Sequence, residues 1–195
     1  MRTIAIDLDD TLNDFTETLR RGDIVRAPDD PLSEAVFRDY LDRLRRGWAE
    51  NGGLLSTEFT YFRYRVHRQC YEKARARPDG VAFMQRLRRD GWRIVVCTYR
   101  DLRRTQDCTR EWLSDNAIPF DHLFMAGNKI AFCKLWGIGH LIDDDPFNAE
   151  HGERHGVRVY RPAPAGREPA APPDPSSPAA RTFATFDDIL PWIQG

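Results

Sequence analysis

Three carboxylates, Asp7, Asp9 and Asp10, fall within four residues directly after the apolar run Ile4-Ala5-Ile6, and Thr11 and Leu12 follow at once. A run this short and β-branched reads as a buried strand, and acids this crowded cannot all stay ionised without a cation or basic partners. The stretch therefore points to a metal site. The competing reading is a helix N-terminus, because Asp and Thr also cap helices and acids there interact well with the helix dipole.

Two other apolar runs end in polar groups in the same way. Arg93 to Cys97 leads into Thr98, Tyr99, Arg100 and Asp101, and His140-Leu141-Ile142 leads into Asp143-Asp144-Asp145-Pro146. In open parallel sheets, ligands bind outside the carboxyl ends of the strands, where the strand order reverses. If the strands ending at Asp7, Thr98 and Asp143 are neighbours, their polar ends share one crevice.

The intervening sequence supplies helices. Val36, Tyr40 and Leu44 recur at spacing four, with Phe37, Leu41 and Trp48 on the adjoining stripe, which predicts an amphipathic helix of about four turns. Asn51-Gly52-Gly53 breaks it. A second helix is expected from about Ser56, capped by Ser56 or Thr57, with Phe59, Phe62, Val66 and Cys70 on one face. Arg77-Pro78-Asp79-Gly80 opens a third helix that Asp90-Gly91 closes, and a fourth buries Cys108, Trp112 and Leu113. A short strand is expected at His122 to Met125, then a helix from Asn128 to Gly137, and a last strand at Val157 to Tyr160. Arg161 to Arg181 is so rich in Pro, Ala and Ser that it reads as an exposed loop. Phe186, Ile189, Leu190 and Ile193 restore helical periodicity, with Thr185 and Asp188 in capping-box register and Pro191 set to shorten or kink the helix. Alternating strands and helices predict an α/β fold with a parallel sheet covered on both faces.

Composition narrows the function classes. The chain has 195 residues, a formal net charge of -1 and 41% hydrophobic residues, with a mean hydropathy of -0.60. Near-neutral charge gives no reason to expect a nucleic acid polymer as partner, and no apolar run reaches the roughly 18 residues of a membrane span. Strand-forming residues begin almost at Met1, so no targeting peptide is expected, and the location expected is cytoplasmic. Cys70, Cys97, Cys108 and Cys133 show no close pairing and read as reduced thiols. His67, His122, His140, His151 and His155 have no metal-ligand spacing, which argues against zinc.

Asp7-Leu8-Asp9-Asp10-Thr11-Leu12 resembles the Asp-x-Asp-x-Thr-Leu signature of the haloacid dehalogenase superfamily. Thr98 after Ile94-Val95-Val96-Cys97, a lysine, and Leu141-Ile142-Asp143-Asp144 stand in the order of that superfamily's other three motifs, so the resemblance covers about residues 2 to 160. Asp7 to Phe15 and Leu141 to Pro146 look most like its small 5'-nucleotidase-like members with a helical cap.

The resemblance implies a Rossmann-like three-layer α/β/α core, residues 1–14 and 78–195, with strand order 5-4-1-2-3. The Pro/Ala-rich loop 161–181 belongs to that core, and residues 15–77 form a small α-helical cap inserted after strand 1. It implies a Mg²⁺-dependent phosphatase acting on a nucleotide or another small phosphorylated metabolite. Asp7 would be the nucleophile and form an aspartyl-phosphate, and Asp9 the general acid and base. Asp7, the backbone carbonyl of Asp9 and one of Asp143 and Asp144 would hold Mg²⁺, with Asp144 favoured as the direct ligand and Asp143 as its partner. Asp10 would shape the turn, and Asp145 cap the following turn with Pro146.

Thr98, Tyr99, Arg100 and a lysine would bind phosphate. Lys129 and Lys134 are both candidates for that lysine, and the Gly-Asn-Lys sequence before Ile-Asp-Asp favours Lys129. Arg100 is also placed to pair with Asp101 or Asp10. In the cap, Trp48, Phe59, Tyr61, Phe62 and Tyr64 are candidate base-stacking groups and Arg63, Arg65 and Arg68 candidate anion holders, set against the plainer reading of core aromatics and solvated arginines. The cap helices are also a candidate homodimer interface. Two alternatives remain at this level: phosphotransfer to an acceptor other than water, and a binding or regulatory protein that keeps the fold without turnover.

Overall fold

The computed structural model describes residues 2–21, 24–46, 57–163 and 181–194. Trp48, the Asn51-Gly52-Gly53 break, the Ser56 cap and most of the Pro-rich segment lie outside them.

Six parallel strands form one sheet: β1 (Thr3–Ile6), β2 (Arg93–Thr98), β3 (His122–Met125), β4 (His140–Ile142), β5 (Arg158–Pro162) and β6 (Arg181–Phe183). The order across the sheet is β3-β2-β1-β4-β5-β6. The chain first builds outward from β1 through β2 to β3, then returns to β1's other side with β4. The order therefore reverses beside β1. β6 is a correction to the sequence expectation, which gave Arg181 to a loop. Three residues, Arg181, Thr182 and Phe183, pair with Tyr160, Arg161 and Pro162, too short a stretch to show alternation of its own.

Side chains alternate across the central strands because a strand repeats every two residues. Ile4, Ile6, Ile94, Val96 and Ile142 pack on one face with α4 (Pro78–Arg89), α5 (Leu102–Asp115) and the C-terminal segment. Ala5, Val95, Cys97 and Leu141 pack on the other with α6 (Lys129–Leu135) and α7 (Pro146–His155). Helices thus cover both faces. At the C-terminus, Phe186–Ile189 is a 3-10 turn capped reciprocally by Thr185 and Asp188, and a short α8 (Leu190–Gln194) continues from it with Pro191 in its first turn. Phe186 packs on Phe83 and Phe183. No described helix is long and apolar enough to cross a membrane.

Between β1 and α4 the chain leaves the sheet as α1 (Phe15–Arg21), α2 (Glu34–Arg46) and α3 (Thr57–Lys73). These helices have their own core of Ile24, Phe37, Leu41, Leu44, Phe59, Phe62, Val66 and Cys70. The inner stripe of α2 is thus Phe37, Leu41 and Leu44, whereas Val36, expected inward, is 38% exposed. Phe59 and Phe62 are fully core, stacked on each other and edge-on to Tyr40. Where the chain exits and re-enters, Asn13 and Ala76 form an antiparallel bridge, and Arg77 N donates to Leu12 O. α3 is tied to α5 by Arg68, whose guanidinium spans both Asp107 oxygens and the Arg104 carbonyl.

Candidate active site

β1 lies between β2 and β4, with Ile6 level with both Val96 and Ile142. One step further on, Asp7 N donates to Ile142 O at 2.9 Å, so the Asp7 and Asp143 side chains emerge side by side. Thr98 ends β2 on the opposite flank. Three strand ends therefore bring Asp7, Thr98 and Asp143 together, all nearly or wholly buried.

Lys129, the first residue of α6, reaches this point from the helix below. Its Nζ is 2.9 Å from Asp7 Oδ1 and donates to Asp143 Oδ2 at 2.7 Å. Asn128 caps α6 through the Ala131 amide and so fixes where the lysine enters. Lys134, the other candidate, is exposed in the last turn of α6 and makes no contact with the cluster.

Asp143 is fully engaged: Oδ1 accepts from the Asp145 amide and Asn148, and Oδ2 from Lys129 and Asn148. Asp144 is much less so, accepting only a long bond from Thr11 Oγ1 at 3.4 Å among the described residues. Carboxylate oxygens of Asp7, Asp143 and Asp144 all lie within 4.8 Å of one another. Asp145 caps α7 through the Phe147 amide, with Pro146 as the first helical residue.

Burial dominates the electrostatics. It raises the Asp7 carboxyl well above its ordinary range, opposed by Lys129 and reinforced by Asp143, Asp9 and Asp144. Asp144 is pushed up to about 6 by burial and by Asp143 and Asp10. Burial alone would lower the Lys129 ammonium, but Asp7 and Asp143 more than offset it and hold it charged. One lysine thus faces three crowded acids, and this all-oxygen donor set suits a hard divalent cation such as Mg²⁺. Among the described residues, Asp7 Oδ1 has ion-pair proximity to Lys129 without hydrogen-bond alignment, and Thr98 Oγ1 is buried with no partner. Buried polar atoms without partners are of the kind that a bound ligand satisfies.

Asp9 has partners of its own. Its carboxylate is gripped by Arg100, with Nε donating to Oδ2 at 2.9 Å and Nη2 to Oδ1 at 2.6 Å, while Asn13 adds a bond to Oδ1. This differs from both sequence expectations for Arg100. The side chain is fully buried against Asp9 instead of meeting substrate, Asp101 or Asp10, and Asp101 caps α5. The pairing spans 91 positions in sequence, beyond reach of any local pattern. Tyr99 is 77% exposed at the mouth, its ring lying over Gly127. Asp10 takes a left-handed φ of 57° and accepts from the Thr16 amide and hydroxyl, so it shapes the turn into α1. The hydrogen bond to Cys133 and, after it, burial push the Cys97 thiol far up, which makes it a poor nucleophile.

Asn13, Asn148, Thr109 and Tyr71 support these groups without having been legible as site residues. From the insert, Tyr71, His67 and Phe15 pack together near Asp9, and burial with Arg63 nearby lowers His67 to about 4.

The fold has counterparts among solved structures. The putative HAD-hydrolase YfnB from Bacillus subtilis, bound to magnesium, matches with a TM-score of 0.59 over 100% of this chain and 99% of that one, at 13% identity. The two chains share one fold. A putative beta-phosphoglucomutase from Thermotoga maritima matches with a TM-score of 0.59 over 100% and 99% of the two chains at 16% identity. A predicted phosphoglycolate phosphatase from Haemophilus somnus matches with 0.55 over 98% and 97% at 17% identity. Solved dehalogenases share this fold too. No family model matches the sequence, and no curated protein matches it.

Proposed function

We propose that the protein is a Mg²⁺-dependent phosphatase that hydrolyses a small phosphomonoester through a phosphorylated Asp7. The observation that carries this reading is the buried chain Asp7–Lys129–Asp143 at the point where the strand order reverses. Asp7 and Asp144, with the Asp9 carbonyl, would hold the cation, because Asp143 is already saturated by Lys129, Asn148 and the Asp145 amide. Bound there, Mg²⁺ would neutralise phosphoryl charge during transfer.

The chain's own groups supply the remaining chemistry. Asp7 attacks phosphorus through a carboxylate oxygen, the bond to the leaving oxygen breaks, and that oxygen takes a proton from Asp9. Water then attacks the phosphoaspartate and gives its proton to Asp9, which restores Asp7 and releases phosphate. Thr98 Oγ1, buried and without a partner, donates to a phosphoryl oxygen, and Lys129 offsets charge on Asp7 and the phosphoryl group. The presence of Asp9, an acid two positions after the nucleophile, favours phosphoryl transfer over dehalogenation, which needs no proton donor to a leaving halide.

The helical insert is read as a cap that excludes water while the exposed Tyr99 ring meets the leaving group at the mouth. A nucleotide or another small phosphorylated metabolite is the expected substrate class. The test is phosphate release from an aryl phosphate and from a broad metabolite panel with Mg²⁺, abolished in Asp7→Asn. No release from any member of the panel would refute the reading.

A further inference from the structure

The grip of Arg100 on Asp9 is built from both parts of the molecule. Arg100 follows β2, and its side chain is wholly buried. Nη1 donates to Thr109 Oγ1 at 3.0 Å, and that hydroxyl donates onward to the Thr105 carbonyl of α5. On its flat face the guanidinium lies 4.0 Å from the ring centroid of Tyr71, which belongs to α3 of the insert. Tyr71 is itself stacked on Phe15 of α1. A buried guanidinium that is forked to a carboxylate, bonded to a hydroxyl and stacked on an aromatic ring has very little rotational freedom.

The contacts also single out one oxygen of Asp9. A carboxylate offers about four lone-pair directions. Among the described residues, Oδ1 accepts from Arg100 Nη2 and from Asn13 Nδ2, whereas Oδ2 accepts only from Arg100 Nε. One direction therefore stays open, on Oδ2, and the Asp9 side chain keeps 22% of its surface exposed. An unrestrained Asp would sample several rotamers, and proton transfer is efficient only within hydrogen-bond reach of its target.

We propose that Arg100 is a positioning residue that holds Asp9 with Oδ2 turned outward as the proton-carrying atom, and that Tyr71 makes this hold depend on α3 being docked against α5. This deepens, and rests on, the phosphatase reading above. The step it serves is the first: as the Asp7 oxygen bonds to phosphorus and the leaving oxygen departs with its electron pair, the proton passes from Asp9 Oδ2 to that oxygen. Arg100 touches neither substrate nor phosphorus. Docking of α3 through Arg68 and Asp107 then couples the lid to the acid, because the same helix carries Arg68 and Tyr71.

Leaving groups of different basicity separate this role from a structural one. A dinitrophenolate leaves without a proton, whereas an alkoxide needs one. Arg100→Gln, and Arg100→Lys, which keeps the charge but loses the fork, should lower kcat/KM for an alkyl phosphate by about 100-fold, within the range of general acid catalysis. The loss for dinitrophenyl phosphate should be at least about tenfold smaller. Tyr71→Leu should show the same selectivity to a lesser degree, and Tyr71→Phe, which keeps the ring, should restore wild-type selectivity. In an Asp9→Asn background, Arg100→Lys should add no further loss in the single-turnover burst of dinitrophenolate, since Arg100 acts only through Asp9. Equal losses for both substrates, additive losses in the double variant, or Tyr71→Leu with wild-type selectivity would each overturn the proposal. A wild-type protein that turns over neither substrate nor any metabolite phosphate would remove the phosphatase reading and this inference together. An active wild type with unselective variants removes only the inference.

Discussion

Lys129 Nζ lies 2.7 Å from Asp143 Oδ2, and both side chains are almost completely withdrawn from solvent although they belong to different elements fourteen residues apart. Removing one partner of a buried ion pair leaves an uncompensated charge, and here it would leave two, because Lys129 also faces Asp7. Lys129→Met should therefore lose about 3–5 kcal/mol of stability in metal-free buffer, read from urea denaturation, along with phosphate release. Lys134→Met should be silent in both assays, since Lys134 stands exposed at the far end of the same helix.

Asp7 should behave in the opposite way. Its folded-state carboxyl is raised well above 3.8, chiefly by burial. A carboxyl whose pKa rises on folding favours the folded state when protonated, so its contribution is lost as pH climbs from the unfolded value through the folded one. At pH 7 the metal-free protein carries that penalty, and Asp7→Asn removes it. The variant should unfold at an equal or higher urea concentration than the wild type while releasing no phosphate. A lower midpoint for Asp7→Asn would contradict the assignment of burial as the dominant effect.

Thr98 offers a clean separation of stability from activity. Its hydroxyl is buried without a partner, so replacing it by the nearly isosteric Val breaks no hydrogen bond in the resting protein. Thr98→Val should keep its stability within about 1 kcal/mol and lose roughly 100-fold or more in turnover, the usual cost of one donor to a transferring group. Thr98→Ser should retain most of the activity. Parallel loss of stability and turnover in the Val variant would sink this assignment.

Acid should weaken the fold through His140. Burial, with Arg158 and Arg181 nearby, lowers its pKa to about 4, and its Nδ1 is 2.8 Å from the Tyr160 hydroxyl. A histidine held neutral contributes fully above the unfolded value near 6.5, and that contribution fades as pH falls toward 4 because the unfolded chain takes up the proton first. Urea midpoints should drop over that interval, and His140→Gln should flatten the slope. An unchanged slope would show that other groups govern the acid transition.

The polar strand ends were readable because a buried run that stops at Asp7, Thr98 or Asp143 breaks its own pattern in a visible way. The caps Asn128, Asp145 and the Thr185–Asp188 box were readable for the same local reason: side chain and amide lie two or three residues apart. What sequence could not order was anything set by long-range packing. Lys129 and Lys134 look alike until burial separates them. The partner of Arg100 follows the neighbouring strand β1 but is 91 positions away in sequence, and Tyr71, an unremarked aromatic on an amphipathic helix, acquires its contact only when α3 meets α5. α1 was missed because its seven residues, Phe15 to Arg21, are too few for a period to emerge. β6 has strand form only because β5 offers it an edge.

The bridge between Asn13 and Ala76 has a wider meaning for how such a chain can change. At that pair the outgoing and returning segments touch, so the sheet meets the whole insert as it would meet a hairpin turn. The entropy of closing a loop rises only slowly with its length, and the ends here are pinned whatever lies between them. Residues between the pinned ends can therefore be lengthened, shortened or exchanged for another helical unit while β1 keeps delivering Asp7 to the same place. Such an exchange would still have to rebuild the contacts by which the insert rests on the core away from this pair, those of Arg68 with Asp107 and of Tyr71 with Arg100.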